Sequence, residues 1–258
     1  MIASLPMYWR AESADAWFRF WDAVRRAAAQ DGHALPKLTP PDALHADLAA
    51  HWLAPDLALS QTCGLPFRTV LKDRVEYVAT FDFGLKCRPG YYYSQVIAHP
   101  DVPPGATSLR LAYSTANSQS GWAAATESPD DGHPPWVASA ATLVRTGSHA
   151  GSWTTVAEHR ADIACIDAVS WRLLKRFDAA DRTVRLRGRT NPTPGLPLIT
   201  AKGTDPEPLR RALRHAMQSL TATDAADMGG LRGLAVLTAH EYNAVPLPPA
   251  PDQVAARQ

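Results

Sequence analysis

Apolar residues recur at helical spacing in one stretch near the start of the chain, ESADAWFRFWDAVRRAAAQDG. This periodicity predicts a helix that buries one face, because residues three and four apart share a side of a helix. Ser13 stands at its expected N-cap and Gly32 at its expected end. The predicted core stripe consists of Trp17, Phe18, Trp21, Val24 and Ala28.

Shorter apolar runs, rich in branched and aromatic residues, alternate with further helical patterns along the chain. The predicted strands are MIASLP, PKLT, DLALSQT, VEYVATFDF, YYYSQVIAH, SLRLAYS, DIACIDAVS, TVRLRGRT and one within NPTPGLPLITA. The predicted helices are DALHADLAAHWLA, GLPFRTVLK, PPWVASAATLVRTG, SWTTVAEHRA, AVSWRLLKRF and DPEPLRRALRHAMQSL. Because strands and helices alternate from the start, the order favours an α/β fold with crossover helices.

Two segments, YYYSQVIAH and TPGLPLITA, are predicted to be the strands by which the chain passes from one lobe to another. We therefore expect residues 1–91 to form the first part of one lobe and 92–195 to form a second lobe. Residues 196–245 would return to pack mainly on the first lobe. Residues 246–258 show no periodicity and are expected to be disordered. A cleft between two lobes is a common place for a ligand.

Composition narrows the function classes. The net charge of +1 does not indicate a nucleic-acid-binding protein. Three distant cysteines, Cys63, Cys87 and Cys165, indicate buried thiols, neither a disulfide framework nor a zinc site, and no cofactor or metal is expected. No apolar run is long enough for a membrane span. The chain as given has no signal sequence, which predicts the cytoplasm, or the periplasm if the start was trimmed.

The segment YSTANSQSGWAAA follows a predicted strand and leads into a predicted helix. Ser118, Ser120 and the backbone amides around Gln119 lie where the first N–H groups of a helix lack partners. Such a turn can bind an anion through amides, hydroxyls and the helix dipole. Gly121 would let an oxyanion approach the backbone closely. The alternative is a plain serine N-cap.

Other polar residues stand at predicted strand ends. Asp167 ends the apolar strand DIACID, and His149 precedes a helix in GSHAGSW. Gln61 and Tyr8 follow the ends of two earlier strands. Open α/β sheets bind ligands at this edge, so the four could converge on one site. Each could equally be structural, and Asp167 could simply cap its helix.

The ordered set SLPMY, GYYYSQVIA, NSQSGW, GSH, AEHRADIACIDAVSW and TPGLPLIT resembles the phosphate/phosphite/phosphonate-binding proteins, substrate-binding components of ABC importers. The resemblance runs from about residue 1 to 220. It implies a two-lobed type II periplasmic-binding-protein fold of the α/β class, with mixed sheets, flanking helices and a two-strand hinge. The chain departs from the family pattern at Gln119, where threonine is common.

The resemblance also implies roles for individual residues. Ser118, the amide of Gln119 and Ser120 would hold the phosphonate oxygens, and His149 would contact the same oxyanion. Asp167 would meet a ligand amine or a P–OH group. The aromatic residue that lines the family's ligand cleft corresponds to Tyr93, or to Tyr92 in the alternative register. Tyr8 and Gln61 are assigned as ligand contacts only by their place in the fold.

These observations predict a non-catalytic solute-binding protein that closes on a small oxyanion for ABC-type uptake or sensing. Phosphonate, phosphite or phosphate is the expected ligand. An ABC permease is the expected partner, nucleic acid is not, and the chain is expected to be a monomer. Two alternatives stay open: an enzyme of the same fold that acts on a phosphorylated metabolite, and a serine hydrolase built on Ser120, His149 and Asp167.

Overall fold

The computed structural model describes residues 1–129, 132, 134–178 and 184–255. It divides into two compact units. The first comprises Met1–Tyr91 and Pro194–Asn243, and the second comprises Tyr92–Thr193 and Ala244–Gln258. The sequence prediction placed the crossings at residues 92 and 196, and it assigned the residues after 246 to neither lobe.

The strands, in chain order along the described residues, alternate with helices as the sequence pattern predicts. They are β1 Ile2–Ser4, β2 Leu57–Gln61, β3 Val75–Asp82, β4 Tyr91–Tyr92, β5 Ser94–Ala98, β6 Leu109–Tyr113, β7 Ala140–Arg145, β8 Ile163–Asp167, β9 Arg185–Arg189, β10 Thr193–Pro194, β11 Pro197–Ala201 and β12 Gly233–Ala235. β4 pairs with β10 in a two-stranded sheet.

The α-helices of the same residues are α1 Ala14–Gln30, α2 Leu48–Trp52, α3 Gly64–Arg68, α4 Ala124–Thr126, α5 His149–Ala157, α6 Ala168–Phe177, α7 Glu207–Gln218, α8 Ala222–Asp227, α9 Ala239–Asn243 and α10 Pro251–Ala255. Short 3₁₀ turns occur at Ala11–Ser13, Pro41–Ala43 and Trp136–Ser139. A π-helical turn, Gln119–Ala123, precedes α4 directly. No helix among the described residues is long and apolar enough to cross a membrane.

The first unit is built on a mixed five-stranded sheet, in the order β1-β2-β11-β3-β12. β1 runs parallel to β2, whereas β11 is antiparallel to both β2 and β3. Helix α1 buries Trp17, Trp21 and Val24 as predicted, but Phe18 is 36% exposed. Ser13 precedes α1 without capping it, because its hydroxyl donates to the Arg10 carbonyl oxygen instead.

The second unit is built on a mixed sheet in the order β7-β6-β8-β5-β9. β6 runs parallel to both β7 and β8, so three carboxyl ends meet at one edge, while β5 is antiparallel to β8. Each face of the sheet has its own core. Since neighbouring residues of a strand point to opposite faces, Leu111 and Cys165 join one core and Ala112 and Ile166 join the other.

Two secondary-structure predictions are wrong. The helix predicted over PPWVASAATLVRTG is the 3₁₀ turn Trp136–Ser139 followed by β7, because branched residues there pair in parallel with β6. The strand predicted at PKLT is a single bridge between Leu38 and Ala3, flanked by prolines that cannot donate to a ladder. The helices predicted over DALHADLAAHWLA and GLPFRTVLK are confirmed only in part, as the short α2 and α3.

The expectation of a disordered tail is wrong for part of residues 246–258. Pro251–Ala255 form α10, and the indole N–H of Trp122 donates to the carbonyl oxygen of Pro249 at 2.9 Å. Trp122 is fully buried, so this bond ties the tail segment to the core of the second unit. Residues 256–258 lie outside the described residues.

Candidate functional site

Three helical segments of the second unit begin at the same edge of its sheet. The turn at Gln119 follows β6, α5 follows β7, and α6 follows β8 without an intervening loop. Because β6 is parallel to β7 and β8, the N-termini of these segments gather at the carboxyl edge. Unpaired N–H groups and helix dipoles give such an edge a positive potential, although no lysine or arginine occurs in the Ser118–Gly121 motif.

The turn after β6 combines a serine cap with an unused amide. Ser118 is extended at the N-cap, and its Oγ accepts from the amide of Gly121 at 2.9 Å. The amides of Trp122 and Ala123 both donate to the Ser118 carbonyl oxygen. Among the described residues the amide of Ser120 has no hydrogen-bond acceptor. A hydroxyl that accepts one hydrogen bond can still donate its own proton, so the Ser118 hydroxyl and the Ser120 N–H are both available to an anion.

Gly121 is required by packing inside the protein. A Cβ at this position would lie 2.3 Å from Oγ of Ser114 and 3.0 Å from Oγ of Ser118. Ser114 is buried, and its hydroxyl has no hydrogen-bond partner among the described residues. The glycine therefore permits the close approach of the Ser114 side chain, and the oxyanion approach expected from the sequence stays a prediction.

Ser120 and His149 are in direct contact. Oγ of Ser120 lies 2.9 Å from Nε2 of His149, and the Ser94 hydroxyl donates to the Ser120 carbonyl oxygen at 2.8 Å. His149 is the first residue of α5, which is capped by Ser148 through the amide of Gly151 at 2.9 Å. The segments SQSG and SHAG thus form the same kind of cap, in which a serine hydroxyl accepts from the amide of a glycine three residues later. Sequence reasoning missed Ser148 and Ser94, although the repeated spacing was a usable signal for Ser148.

The imidazole of His149 is neutral near pH 7. Burial lowers its pKa from 6.5 to about 4, and the nearby backbone of Cys165 opposes this only in part. Burial also raises the pKa of the Cys165 thiol to about 12, so this cysteine is no nucleophile. The polar groups beside the turn are therefore hydroxyls, amides and one uncharged ring.

Asp167 caps the helix that it precedes. Its Oδ1 accepts from the amides of Val169 at 2.7 Å and Ser170 at 3.1 Å, and the residue is buried. The helix cap considered in the sequence analysis is therefore present, and a ligand contact of Asp167 stays a prediction. This carboxylate already occupies the N-terminus of α6, so an external anion has the starts of the other two helical segments available.

Of the two candidate tyrosines, Tyr93 lies beside this helix start. Its carbonyl oxygen accepts from the amide of Ala168 at 3.0 Å, directly after Asp167. Cζ of the Arg189 guanidinium lies 5.3 Å from the centroid of the Tyr93 ring. Tyr92 is buried within β4. The sequence pattern of TVRLRGRT predicted only a strand and did not single out Arg189.

The remaining predicted residues, Tyr8 and Gln61, belong to the first unit. Gln61 ends β2, is fully buried, and has no partner for either side-chain amide atom among the described residues. Tyr8 is buried edge-on against Phe83, with ring centroids 5.0 Å apart. Their roles as ligand contacts stay predictions.

No protein-family model and no curated protein matches the chain. Solved structures do. XAC2383 from Xanthomonas citri bound to ATP is 15% identical, with a TM-score of 0.63 over 99% of this chain and 96% of that one. A binding protein component of an ABC phosphonate transporter from Pseudomonas aeruginosa is 15% identical, with a TM-score of 0.63 over 94% and 82%.

A third similar structure is PhnD1 from Prochlorococcus marinus in complex with methylphosphonate. It is 11% identical, with a TM-score of 0.65 over 99% of this chain and 97% of that one. At such identities the likeness establishes the fold. The predicted fold class is confirmed: this chain has the α/β fold of type II periplasmic binding proteins, with mixed sheets and flanking helices.

Proposed function

We propose that this chain is a non-catalytic solute-binding protein whose ligand is a small oxyanion with phosphonate, phosphite or phosphate chemistry. The observation that carries the proposal is the amide of Ser120. It has no acceptor among the described residues, and it lies in a turn bordered by the Ser118 cap and the Ser120–His149 pair. Delivery to an ABC permease, or to a sensor, is the corresponding physiological role.

The proposed contacts follow from the donor inventory of the turn. The hydroxyls of Ser118 and Ser120 and the amides at Gln119 and Ser120 would donate to the oxyanion oxygens. The neutral ring of His149, in its Nε2–H tautomer, would donate to the Ser120 hydroxyl and leave that hydroxyl's proton for the ligand. Dipoles in place of cations would then balance the ligand charge, as at other helix N-termini.

Asp167 and Tyr93 would complete the ligand contacts in the second unit. A carboxylate repels a fully ionised oxyanion, but it accepts a hydrogen bond from a P–OH group or from a ligand amine. Asp167 would therefore favour a protonated phosphorus oxyanion over sulfate, which carries no proton at neutral pH. Tyr93 would supply an apolar wall on the same side, since its backbone bonds to the helix start at Ala168.

Two similar structures support the phosphorus chemistry by what they are described to bind or transport. One is a component of a phosphonate transporter and the other holds methylphosphonate. A third holds ATP, whose phosphates are oxyanions of the same class. The common element is a tetrahedral phosphorus centre with several hydrogen-bond-accepting oxygens.

A serine hydrolase is the second candidate, and the 2.9 Å contact between Ser120 and His149 is what favours it. A hydrolytic triad also needs a carboxylate on the other ring nitrogen. Among the described residues Nδ1 of this imidazole has no hydrogen-bond partner, and Oδ1 of Asp167 accepts from helix amides. Ester hydrolysis that is lost in Ser120→Ala would make the chain an enzyme and overturn the binding proposal.

The test is ligand-induced thermal stabilisation with methylphosphonate, 2-aminoethylphosphonate, phosphite, phosphate, ATP and sulfate. A ligand at 100 times its dissociation constant adds about 2.7 kcal/mol to the free energy of unfolding. We expect at least one phosphorus oxyanion to raise Tm, and the double variant Ser118→Ala/Ser120→Ala to lose that shift. Ser219→Ala, which removes an exposed hydroxyl from the first unit, is the control that should keep it. No shift with any phosphorus oxyanion would contradict the proposal.

A further inference from the structure

A second polar cluster of the second unit lies at the other edge of its sheet. His99 follows the end of β5, and His159 follows the end of α5. Asp162, which contacts His159, directly precedes β8, whereas Asp167 ends that strand. Five residues of strand span about 16 Å, at roughly 3.3 Å each, so this cluster is separate from the Ser118 turn.

Three side chains of the cluster bring metal-binding atoms together. One donor atom each from His99, Asp101 and His159 lies within 4.8 Å of the other two. The imidazole rings of His99 and His159 stack with centroids 3.8 Å apart and planes 7° apart. Nδ1 of His99 lies 3.6 Å from the Asp101 carboxylate. Two imidazoles and one carboxylate are thus adjacent on one accessible patch.

We propose that His99, Asp101 and His159 form a binding site for a divalent transition-metal ion of the Zn²⁺ class. Two imidazole nitrogens and a carboxylate oxygen are a common zinc donor set, with a fourth position left for water. Magnesium and calcium prefer sites made of oxygen donors only, so the two imidazoles select against them.

The side chains have the freedom that binding requires. Tetrahedral donors at about 2.0–2.1 Å from zinc lie about 3.3 Å from one another. Donor atoms within 4.8 Å of one another therefore have to approach by up to about 1.5 Å, and one ring has to turn out of the stack. The side chain of Asp101 is 75% exposed and that of His159 is 41% exposed. Neither movement is blocked by a tightly packed core.

A neighbouring ion pair orients the imidazole of His159 for metal binding. Nε2 of His159 lies 3.3 Å from Oδ1 of Asp162, and the Asp162 carboxylate accepts three hydrogen bonds from the amide and guanidinium of Arg110. These bonds, the side-chain bond with Arg110 foremost, lower the pKa of Asp162, which stays ionised. A carboxylate on one ring nitrogen of a histidine leaves the other nitrogen for the metal and fixes the ring.

The test is a calorimetric titration of the metal-free full chain with Zn²⁺, repeated with Co²⁺, whose visible absorption reports its coordination. The variants are His99→Gln and His159→Asn. Asparagine suits position 159 because this residue has a φ of 56°, in the left-handed region that asparagine tolerates. His215→Gln, at an exposed position of α7, is the matched control.

We expect saturable binding of one ion, weakened at least about 10-fold by either cluster variant and unchanged by the control. Absence of one-to-one binding, or wild-type affinity in either cluster variant, would overturn the proposal. Thermal unfolding in the presence of a chelator checks that each variant is folded. If His159→Asn does not fold, Asp101→Asn replaces it, because this variant alters only an exposed loop carboxylate. It should also weaken metal binding at least about 10-fold. Because the titration uses no oxyanion, its result is independent of the proposed function.

Discussion

Oγ of Ser120 lies 2.9 Å from Nε2 of His149, and this contact joins the starts of two helical segments that follow neighbouring parallel strands. The imidazole is kept neutral by burial. The pair therefore brings hydrogen-bonding capacity to the edge of the sheet without adding charge. The first prediction concerns the protonation of this ring.

Acidification should destabilise the protein through His149. Its pKa is about 4 in the folded protein and near 6.5 in the unfolded chain, so below pH 6.5 the unfolded chain binds more protons. The free energy of unfolding should fall progressively between pH 6.5 and 4, with His149 contributing up to about 3 kcal/mol. Urea unfolding of the wild type and His149→Gln at pH 7.5 and 4.5 measures the difference.

Other groups titrate in the same range, and burial also lowers the pKa of His51. The comparison between wild type and variant isolates the contribution of His149. Equal losses of stability in both proteins upon acidification would contradict this account of the buried ring.

Replacing Gly121 should damage the turn in a way that one second substitution relieves. In Gly121→Ala the new methyl group would meet the Ser114 hydroxyl at 2.3 Å, and overpacking of this kind costs about 1–3 kcal/mol. Adding Ser114→Gly removes the obstructing side chain and should restore part of the stability, as measured by urea unfolding.

Gly151 provides the contrast for that prediction. A Cβ at Gly151 would meet the backbone carbonyl oxygen of Thr146 at 2.7 Å, which no side-chain truncation removes. Ser114→Gly should therefore fail to rescue Gly151→Ala. Rescue of both glycine variants, or of neither, would show that the Ser114 contact does not explain the glycine at 121.

The two Ser-x-x-Gly caps should contribute equally to the stability of the protein, but only the cap at Ser118 should contribute to oxyanion binding. Ser118→Ala and Ser148→Ala each remove an oxygen that accepts from a helix amide at 2.9 Å, which costs about 1 kcal/mol. Only Ser118 belongs to the proposed ligand contacts. We expect Ser118→Ala to weaken oxyanion binding at least several-fold more than Ser148→Ala in calorimetric titrations, and equal weakening would argue against a special role of the first turn.

Asp167 should set the preference between protonated and unprotonated oxyanions. Asp167→Asn keeps a side-chain oxygen for the amides of Val169 and Ser170 but removes the negative charge. The ratio of sulfate to methylphosphonate affinity at pH 7 should therefore rise in this variant. An unchanged ratio would assign Asp167 to helix capping alone.

The sequence predicted the strand ends and helix starts of the second unit better than the contacts between them. Ser118, Ser120, His149 and Asp167 were found because each borders a strongly apolar strand or a helical pattern. Ser94 was missed since its contact with Ser120 crosses 26 positions of the chain. No local pattern reports a contact of that kind.

Two other differences arise from tertiary packing. The alanine-rich stretch before Leu143 reads as helix, yet pairing with β6 makes it a strand, so a tertiary interaction overrides propensity. The π-helical turn at Gln119 was not predictable from spacing, because such turns are rare and depend on what packs around them. Here the Ser114 hydroxyl lies against Gly121 of the turn, and the Pro249 carbonyl oxygen accepts from Trp122 of the turn.

The central claim, that the amide of Ser120 receives an oxyanion, is tested most directly by its NMR signal. In ¹⁵N-labelled protein, saturating methylphosphonate, phosphite or phosphate should move the Ser120 amide proton downfield, as a charge-assisted hydrogen bond does. The amide of Gly151, already bonded to Ser148, should move little. An unchanged Ser120 amide with all three oxyanions would contradict the account.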